Sequence, residues 1–516
     1  MTKTPKWLSN AIFYEIYPQS FYDSNGDGIG DINGITQKLD YITSLGFNAL
    51  WLNPCFVSPF KDAGYDVQDY YKVAPRYGTN EDLYRLFDEA HKRGVHVILD
   101  LVPGHTSDKC KWFSASKKPK RNVYSDRYIW TNVVWDRPEG YSWVAGNADR
   151  DGSYMLNFFV SQPALNYGFN KITHPDWQIS YTDERVAGTL SAMMDVMRFW
   201  LDHGCDGFRV DMADSLVKND EDKTATASLW RKVRAWLDDD YPEAVLVSEW
   251  CNAPRAINKA GFHCDFLLDH WDKMMHFAFR NRHDGVNKSY FCKTAHVSAK
   301  PILAKYLDEL AETRDNGYIS LISGNPDTER ISSFLDDREL RVAYTFLFTM
   351  PGVPFFYYGD EIGMRYISQH SKEGGFHRTG SRTPMQWDRT KANLGFSTAP
   401  GKKLYLDVDR KTDAPTAQQQ MQDETSLWNF VRKLIQVRQQ YADLQSYGAL
   451  EILECSDCGV LCYKRGDSLA VVFNPTDRQL TLNMPIGNKI FEIGSVTVED
   501  KVTKLAPQTA VIFQLK

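Results

Sequence analysis

The chain has 516 residues, of which 43% are hydrophobic and 24% are charged. This length exceeds what one hydrophobic core usually holds, so we expect two or three domains, and the composition excludes a disordered chain. The net charge of −6 and the pI near 6.1 provide no attraction for phosphate backbones or anionic lipid, which argues against nucleic acid and membrane partners.

Cysteine usage and hydropathy indicate the compartment. The nine cysteines are an odd number scattered along the chain, which suits reduced thiols better than a disulfide framework. The N-terminal residues lack the apolar stretch of a secretory signal, and no later segment has membrane-spanning length. We therefore expect a cytoplasmic protein. Cys455 and Cys458 form a lone Cys-x-x-Cys motif, and the absence of a second pair or a flanking His disfavours zinc there.

Short apolar runs alternate with helix-length amphipathic segments up to about residue 445, which is typical of strand–helix units around a parallel sheet. We predict eight strands, at Ile12–Tyr17, Ala49–Asn53, Val95–Val102, Gly207–Met212, Ala244–Trp250, Cys264–Leu268, Ile319–Ser323 and Val353–Tyr358. The helices predicted between them include Glu81–Lys92, Ala192–His203, Ser228–Asp238 and Glu339–Phe348. Eight parallel strands with intervening helices predict an α/β fold of the (β/α)8 TIM barrel type.

Two regions depart from this alternation. About seventy residues follow the third strand, too many for a loop and too aromatic for a linker, so we predict a small inserted domain at 104–175. From 449 to 516 short alternating strands predict a C-terminal antiparallel β-sandwich. The barrel then comprises 1–103 and 176–448. Its polar, Gly-rich stretch at 365–424 is expected to border the active site.

Three acids each close a short apolar run: Asp211, Glu249 and Asp327. A strand that ends in an acid delivers its carboxylate to the carboxyl rim of a parallel barrel, where such proteins place their chemistry. Arg209 and Asp211 are two residues apart, so on a strand they face the same side and the guanidinium favours the ionised carboxylate. This arrangement predicts an enzyme with a nucleophilic or charge-stabilising acid.

With these motifs in view, the chain resembles the alpha-amylase family of glycoside hydrolases over nearly its whole length. The matching segments are Gly64–Tyr70, Asp100–His105, Gly207–Asp211, Glu249, Asn325–Asp327 and Gly352–Glu361. The segment Arg382–Trp387 is similar to the branch that contains oligo-1,6-glucosidases, dextran glucosidases and trehalose synthases.

The resemblance implies catalytic roles for the three acids. Asp211 would be the nucleophile, Glu249 the general acid/base and Asp327 the acid that braces the distorted sugar. A retaining glycosidase needs one ionised and one protonated carboxyl group about 5 to 5.5 Å apart, with pKa values held apart by their environments. The competing interpretation of Asp211 and Glu249 is that they are structural acids at the strand ends.

The resemblance also implies sugar contacts. Tyr65 would lie under the terminal sugar, Asp62 and Arg382 would bind its far hydroxyls and close the pocket, and His105 would donate a hydrogen bond; Arg209 would hold the nucleophile. A closed pocket accepts only a chain end, which favours exo-action on short substrates. The alternatives are a surface ion pair of Asp62 with Arg382 and a core position for His105.

The segment from Asp23 to Asp31 places oxygen-bearing side chains at alternate positions among glycines, the kind of loop that wraps calcium or magnesium. The resemblance implies a structural Ca²⁺ ion, with Mg²⁺ as the alternative. The implied ligands are Asp23, Asn25, Asp27, the carbonyl of Ile29, and Asp31. An empty Asx-rich turn is the other interpretation.

Four positions depart from the family pattern. Pro326 stands where a His usually hydrogen-bonds the sugar, and Gly104 where an Asn often binds a second calcium ion, which we therefore do not predict. Ala164 stands where related glucosidases often have Asp, and Met212 differs from the residues associated with known linkage preferences. These departures leave the linkage and the identity of the sugar open.

Three functions are consistent with these observations. The leading hypothesis is a retaining, exo-acting α-glucosidase that hydrolyses short α-linked disaccharides or oligosaccharides through a glycosyl–aspartate intermediate. A transglycosylase or isomerase of the trehalose synthase or sucrose isomerase type would use the same intermediate. A carbohydrate-binding protein without catalysis is the alternative of another class. The sequence leaves the oligomeric state open.

Overall fold

The computed structural model describes residues 4–268, 274–369 and 378–515. Eight parallel strands form a closed barrel in which each strand pairs with its neighbours in chain order and the last pairs with the first. The barrel strands are β1 (Phe13–Ile16), β2 (Ala49–Leu52), β3 (His96–Leu101), β4 (Gly207–Val210), β5 (Val245–Ser248), β6 (Cys264–Leu267), β7 (Tyr318–Ile322) and β8 (Val353–Tyr357). Seven of the eight lie within the predicted segments, β7 begins one residue before its predicted segment, and the predicted (β/α)8 fold is confirmed.

Helices surround the barrel and connect most of its strands. They are α1 (Ile32–Gln37), α2 (Leu39–Leu45), α3 (Asn80–His91), α4 (Lys111–Ser116), α5 (Glu184–Asp202), α6 (Thr224–Asp240), α7 (Lys300–Thr313), α8 (Asp337–Thr349), α9 (Ala417–Gln422) and α10 (Leu427–Gln440). Side-chain caps begin several of them; Thr79 with Asp82 and Asp336 with Glu339 form capping boxes at α3 and α8. No helix in the described ranges is long and apolar enough to cross a bilayer.

The barrel interior has an apolar floor below a polar layer. Alternate inward-facing residues of the strands, including Phe13, Trp51 and Phe355, make a core of their own, and the Phe13 and Phe355 rings stack at 4.2 Å between centroids. The next inward residues toward the carboxyl rim are polar, among them Asp100 and Arg209. The outward-facing residues pack against the helices in the main core.

The inserted segment and the C-terminal segment pack on the barrel separately. The insertion contains α4 and an antiparallel pair of strands, Ser142–Val144 and Tyr154–Leu156, around a small core of its own. The C-terminal strands form a five-stranded and a three-stranded antiparallel sheet that enclose a further apolar core, as the predicted sandwich requires. These strands are β9 (Leu450–Cys455), β10 (Leu461–Arg465), β11 (Leu469–Asn474), β12 (Leu480–Leu482), β13 (Lys489–Ile493), β14 (Val496–Glu499), β15 (Val502–Leu505) and β16 (Thr509–Gln514).

Candidate active site

Asp211 and Glu249 lie side by side at the carboxyl rim because they directly follow adjacent parallel strands. Val210 of β4 is in register with Ser248 of β5, so the next residue of each strand carries one of the two acids. Gly207 allows the two strands to approach, since a Cβ atom there would lie 2.2 Å from the Val245 carbonyl oxygen.

Arg209 joins the two acids and a third one. Its Nη1 lies 3.0 Å from Asp211 Oδ1 and 2.9 Å from Asp100 Oδ1, and its Nη2 lies 2.7 Å from Glu249 Oε2. The guanidinium is buried, so these contacts are poorly screened by water. One positive charge therefore serves three carboxyl groups, which favours retention of a proton within the group.

The pKa shifts follow this shortage of positive charge. Burial and the charge of Glu249 raise the pKa of Asp211 well above its ordinary value, and Arg209 opposes the shift. Burial also raises the pKa of Asp100 to about 6, against the lowering effect of Arg209. The sequence predicted that Arg209 favours an ionised Asp211; the structure adds the stronger opposing effect of desolvation.

The backbone turns sharply just after Asp211. Met212 has φ 43°, a left-handed conformation that non-glycine residues seldom adopt. Its N–H donates to Glu249 Oε2 at 3.0 Å, and the Ala213 N–H donates to the Glu249 carbonyl at 3.1 Å. The turn thus donates two hydrogen bonds to Glu249, which faces Asp211 across the rim.

An ion-pair bridge lines the same pocket. Arg378 pairs with Asp62 and, through Nη1, with Asp327 Oδ1 at 2.8 Å. Arg382 Nη2 lies 2.6 Å from the same Asp327 oxygen. The predicted pairing of Asp62 with Arg382 is thus replaced by a pairing with Arg378, because Arg382 lies deeper and holds Asp327. Gln162 of the insertion also donates to Asp62, at 2.7 Å.

Asp327 is held in its ionised form by this bridge. Partial desolvation raises its pKa, although 48% of the side chain is exposed, but Arg382 and Arg378 outweigh that effect and bring it below the ordinary value. The preceding residues shape its position, because the Asn325 side chain accepts hydrogen bonds from the Asp327 and Thr328 N–H groups, both at 2.9 Å. Pro326 lies in this Asx turn and its carbonyl accepts a 2.9 Å hydrogen bond from Arg382 Nε.

Asp62 itself sits on a strained loop. Phe60 and Ala63 have φ values of 56° and 54°, and neither is glycine. The buried Asp66 carboxylate holds the loop by accepting hydrogen bonds from the Ser58 hydroxyl and from the N–H groups of residues 61 and 62.

Tyr65 and His105 line the pocket between its two ends. The Tyr65 hydroxyl donates to Asp100 Oδ2 at 3.2 Å. His105 Nε2 lies 3.1 Å from the Tyr65 carbonyl and so carries a hydrogen, while Nδ1 accepts from Asn157 at 3.0 Å. Burial lowers the pKa of His105 to about 4, so the ring is neutral. A hydrogen bond between His105 and the sugar, as predicted, would have to use a ring nitrogen that also contacts Tyr65 or Asn157.

These residues enclose one cavity of about 420 Å³, within the usual range of small-molecule sites. The cavity brings together predicted site residues and others: Asp62, Tyr65, His105, Asn157, Phe158, Phe159, Asp211, Met212, Glu249, Asp327 and Arg378. The sequence did not single out Arg378 or the three insertion residues from Asn157 to Phe159. The prediction that the stretch 365–424 borders the active site agrees with the positions of Arg378 and Arg382.

The loop proposed for calcium closes on its own hydrogen bonds. Asp23 accepts from the N–H groups of Asn25, Gly26 and Gly28, and Asp31 caps α1 through the Gly34 N–H. Within the described ranges no three His, Cys, Asp or Glu side chains are arranged to hold a metal ion. In this arrangement the oxygen-rich loop suits calcium in composition, but its three aspartates are not gathered around one point.

A parallel barrel whose carboxyl rim gathers three acids and an arginine in one closed-ended pocket defines a carbohydrate-active enzyme of the glycoside hydrolase class. Residues 15–448 match the family model described as the alpha-amylase catalytic domain. The chain therefore belongs to the alpha-amylase family.

Its relatives include enzymes with different names. Trehalose synthase/amylase TreS of Mycolicibacterium smegmatis is 33% identical over 501 residues, which cover 89% of this chain and 80% of that protein. Oligo-1,6-glucosidase of Heyndrickxia coagulans is 29% identical over 583 residues, and the match covers 99% of this chain and 100% of that protein. The crystal structure of trehalulose synthase MutB from Pseudomonas mesoacidophila superposes with a TM-score of 0.80 at 26% identity and covers 99% of each chain.

Proposed function

We propose that the protein is a retaining, exo-acting α-glucosidase for short α-linked substrates. The observation that carries this proposal is the direct opposition of Asp211 and Glu249 on adjacent strands. Neighbouring strands lie about 4.8 Å apart, close to the carboxyl separation of retaining glycosidases and below that of inverting ones. Arg209, in contact with both carboxyl groups, supports the same short separation.

In the proposed reaction Asp211 attacks the anomeric carbon while Glu249 donates a proton to the departing glycosidic oxygen. The result is a glycosyl ester on Asp211. Glu249, now ionised, then takes a proton from water, which attacks the same carbon and releases the sugar. Arg209 supports this scheme because its contact with Asp211 favours the ionised carboxylate that attacks.

The closed end of the pocket supports exo-action. The bridge from Asp62 through Arg378 to Asp327 lines the same cavity as the reacting acids, and we take it to close one end. A polymer that continued past the terminal sugar would have to displace these ion pairs. A chain end or a disaccharide fits without that cost.

A second candidate is a disaccharide isomerase or transglycosylase. The named relatives favour it, since they include a trehalose synthase and a trehalulose synthase as well as an oligo-1,6-glucosidase. Such an enzyme would return the sugar from Asp211 to another hydroxyl of the bound acceptor. The exposed Phe158 ring at the pocket mouth provides an apolar surface for an acceptor sugar.

The test is a panel of α-linked disaccharides, including non-gluco sugars, with all products identified. Release of free glucose as the main product supports hydrolysis. An isomeric disaccharide as the main product selects the second candidate. Binding without any product, across the panel and with aryl α-glycosides, would instead select the non-catalytic alternative.

The Asp23–Asp31 loop carries a second, smaller proposal. Its alternate oxygen side chains would hold a structural Ca²⁺ ion, or Mg²⁺, after local rearrangement of the aspartates. The loop precedes α1 and holds none of the pocket residues, so an ion there would stabilise the fold without taking part in the reaction. Chelation should then lower the melting temperature and leave the initial rate of the remaining folded enzyme unchanged. An unchanged melting temperature after chelation would contradict a structural ion in this loop.

A further inference from the structure

A buried acid lies on the outer face of the barrel, behind the general acid/base. Asp265 is the second residue of β6 and is 1% exposed. Its neighbours Cys264 and Phe266 point into the barrel, and Leu267 packs in the outer core. Strand alternation therefore places the Asp265 carboxyl group between the barrel and its helices, where apolar side chains are the rule.

The hydrogen bonds of this carboxyl group all lead to one segment. Oδ1 accepts from the Ser248 hydroxyl at 2.6 Å and from the Trp250 N–H at 3.1 Å, and Oδ2 accepts from the Asn252 N–H at 2.8 Å. These donors flank Glu249 on both sides. Burial raises the pKa of Asp265 to about 7 even against three donors that favour its ionised form, which shows how costly the placement is.

The clamped segment needs such support because its backbone is strained. Cys251, two residues after Glu249, has φ 59° and is not a glycine. On the β4 side the Glu249 N–H donates to the Val210 carbonyl at 3.0 Å, but on the β6 side the strand pairing ends at Ser248. A general acid must hold its oxygen within hydrogen-bond reach of the leaving group, and an error of about 1 Å can cost 100-fold in rate.

We propose that Asp265 is a positioning residue for Glu249: its carboxylate fixes the 248–252 turn and thereby aims the general acid at the glycosidic oxygen. The inference rests on the proposed function, in which Glu249 supplies the proton. Asp265 takes no part in the chemical steps, and its contribution is confined to the step that needs the acid.

The experiment compares Asp265→Asn with Asp220→Asn as a matched control. Asp220 is also buried and also accepts three hydrogen bonds, from Asn170, Ala225 and Thr226, but these hold the start of α6. Activity is measured as kcat/KM on phenyl α-glucoside, whose departure needs acid assistance, and on 2,4-dinitrophenyl α-glucoside, whose departure does not. Glu249→Gln is measured in parallel, and melting temperatures are recorded for every variant.

We expect Asp265→Asn to lose about tenfold or more on the phenyl substrate and less than about threefold on the dinitrophenyl substrate. Asp220→Asn should lower the melting temperature without any dependence on the leaving group. Equal losses of Asp265→Asn on both substrates, or full activity on both, would overturn the proposal. If Glu249→Gln itself shows no dependence on the leaving group, the proposed function fails rather than the role of Asp265.

A milder variant keeps the test decisive if Asp265→Asn does not fold. Ser248→Ala removes one of the three donors and leaves the carboxylate in place. We expect a smaller loss in the same direction, of about threefold, confined to the phenyl substrate. If Ser248→Ala keeps full activity on both substrates, or loses the same amount on both, the proposal is overturned.

Discussion

The two ends of the pocket differ in how many positive charges serve their carboxyl groups. At the closed end Arg378 and Arg382 serve Asp62 and Asp327, and the pKa of Asp327 lies below its ordinary value although burial raises it. At the reacting end Arg209 is the one arginine or lysine within the described ranges that pairs with the three carboxyl groups, and the pKa of Asp211 is raised.

Under the proposed function, this difference separates binding from chemistry within one cavity. Carboxylates that are fully paired stay ionised and accept hydrogen bonds from sugar hydroxyls over a wide pH range. Carboxyl groups that share too little positive charge retain a proton to higher pH, and the proposed reaction needs both an ionised nucleophile and a protonated acid among them. The ratio of arginines to acids therefore indicates the role of each end.

The largest effect is expected from Asp211→Asn, which removes the attacking oxygen at the reacting end. Turnover should fall by about 1,000-fold or more while the melting temperature stays near that of the parent, because an amide has the same shape but is not a nucleophile. The measurement is kcat on the best substrate of the panel together with thermal unfolding. Residual activity within tenfold of the parent would show that the nucleophile is misassigned.

Arg378→Ala should break the closed end. Hydrogen bonds between charged groups contribute about 1.5 to 3 kcal/mol, so we expect KM for a disaccharide to rise about 10- to 100-fold. The effect on kcat should be smaller, since the reacting acids keep Arg209. Arg365→Ala is the control, because Arg365 lies in the same stretch but pairs with Asp409 and Asp413. An unchanged KM for Arg378→Ala would contradict the proposed closure.

The pH profile of Glu249→Gln sharpens the comparison at the reacting end. Asp211 attacks only when ionised, so activity falls as the pH drops through its raised pKa. The charge of Glu249 contributes to that rise, and glutamine carries none, so the acid limb should move to lower pH. The measurement is kcat/KM against pH on 2,4-dinitrophenyl α-glucoside. A limb that stays in place would mean that the two carboxyl groups are not coupled.

The smallest effect is expected from an ion pair outside the pocket. The hydrogen bond to Asp206 raises the pKa of His91, so this contact stabilises the fold at pH below about 6.5 and its contribution is lost as the pH rises through the raised pKa. His91→Gln should lower the melting temperature by about one degree at pH 5 and not at pH 9, because the pair is partly exposed. The parent and His91→Gln should be equally active at pH 7. A difference would mean that the His91–Asp206 pair influences the active site.

The barrel could be predicted because buried parallel strands read as short apolar runs, and all eight runs became strands. Helix boundaries were less predictable: the periodic pattern suggested a start at Ala192, whereas α5 begins at Glu184 with Asp183 as its cap. The first turns of that helix are more polar, and their cap outweighs the weak periodicity.

The positions of Asp211 and Glu249 at one rim could be predicted from the sequence because each directly follows a strand, and strand ends meet at one rim. The closed end could not be assigned in full, since Arg378 and Arg382 share one irregular stretch and only folding decides which one faces Asp62. Asp265 gave no signal either. In the sequence it is a single acid in an apolar run. Its role depends on contacts with the turn that follows the neighbouring strand β5, which the sequence does not reveal.

The most direct test of the retaining pair is the configuration of the sugar when it is first released, recorded by proton NMR before mutarotation. Opposed acids on adjacent strands that pass the sugar through Asp211 predict that an α-glucoside yields the α-anomer first. Initial release of the β-anomer would mean a single displacement by water, and would contradict the central claim.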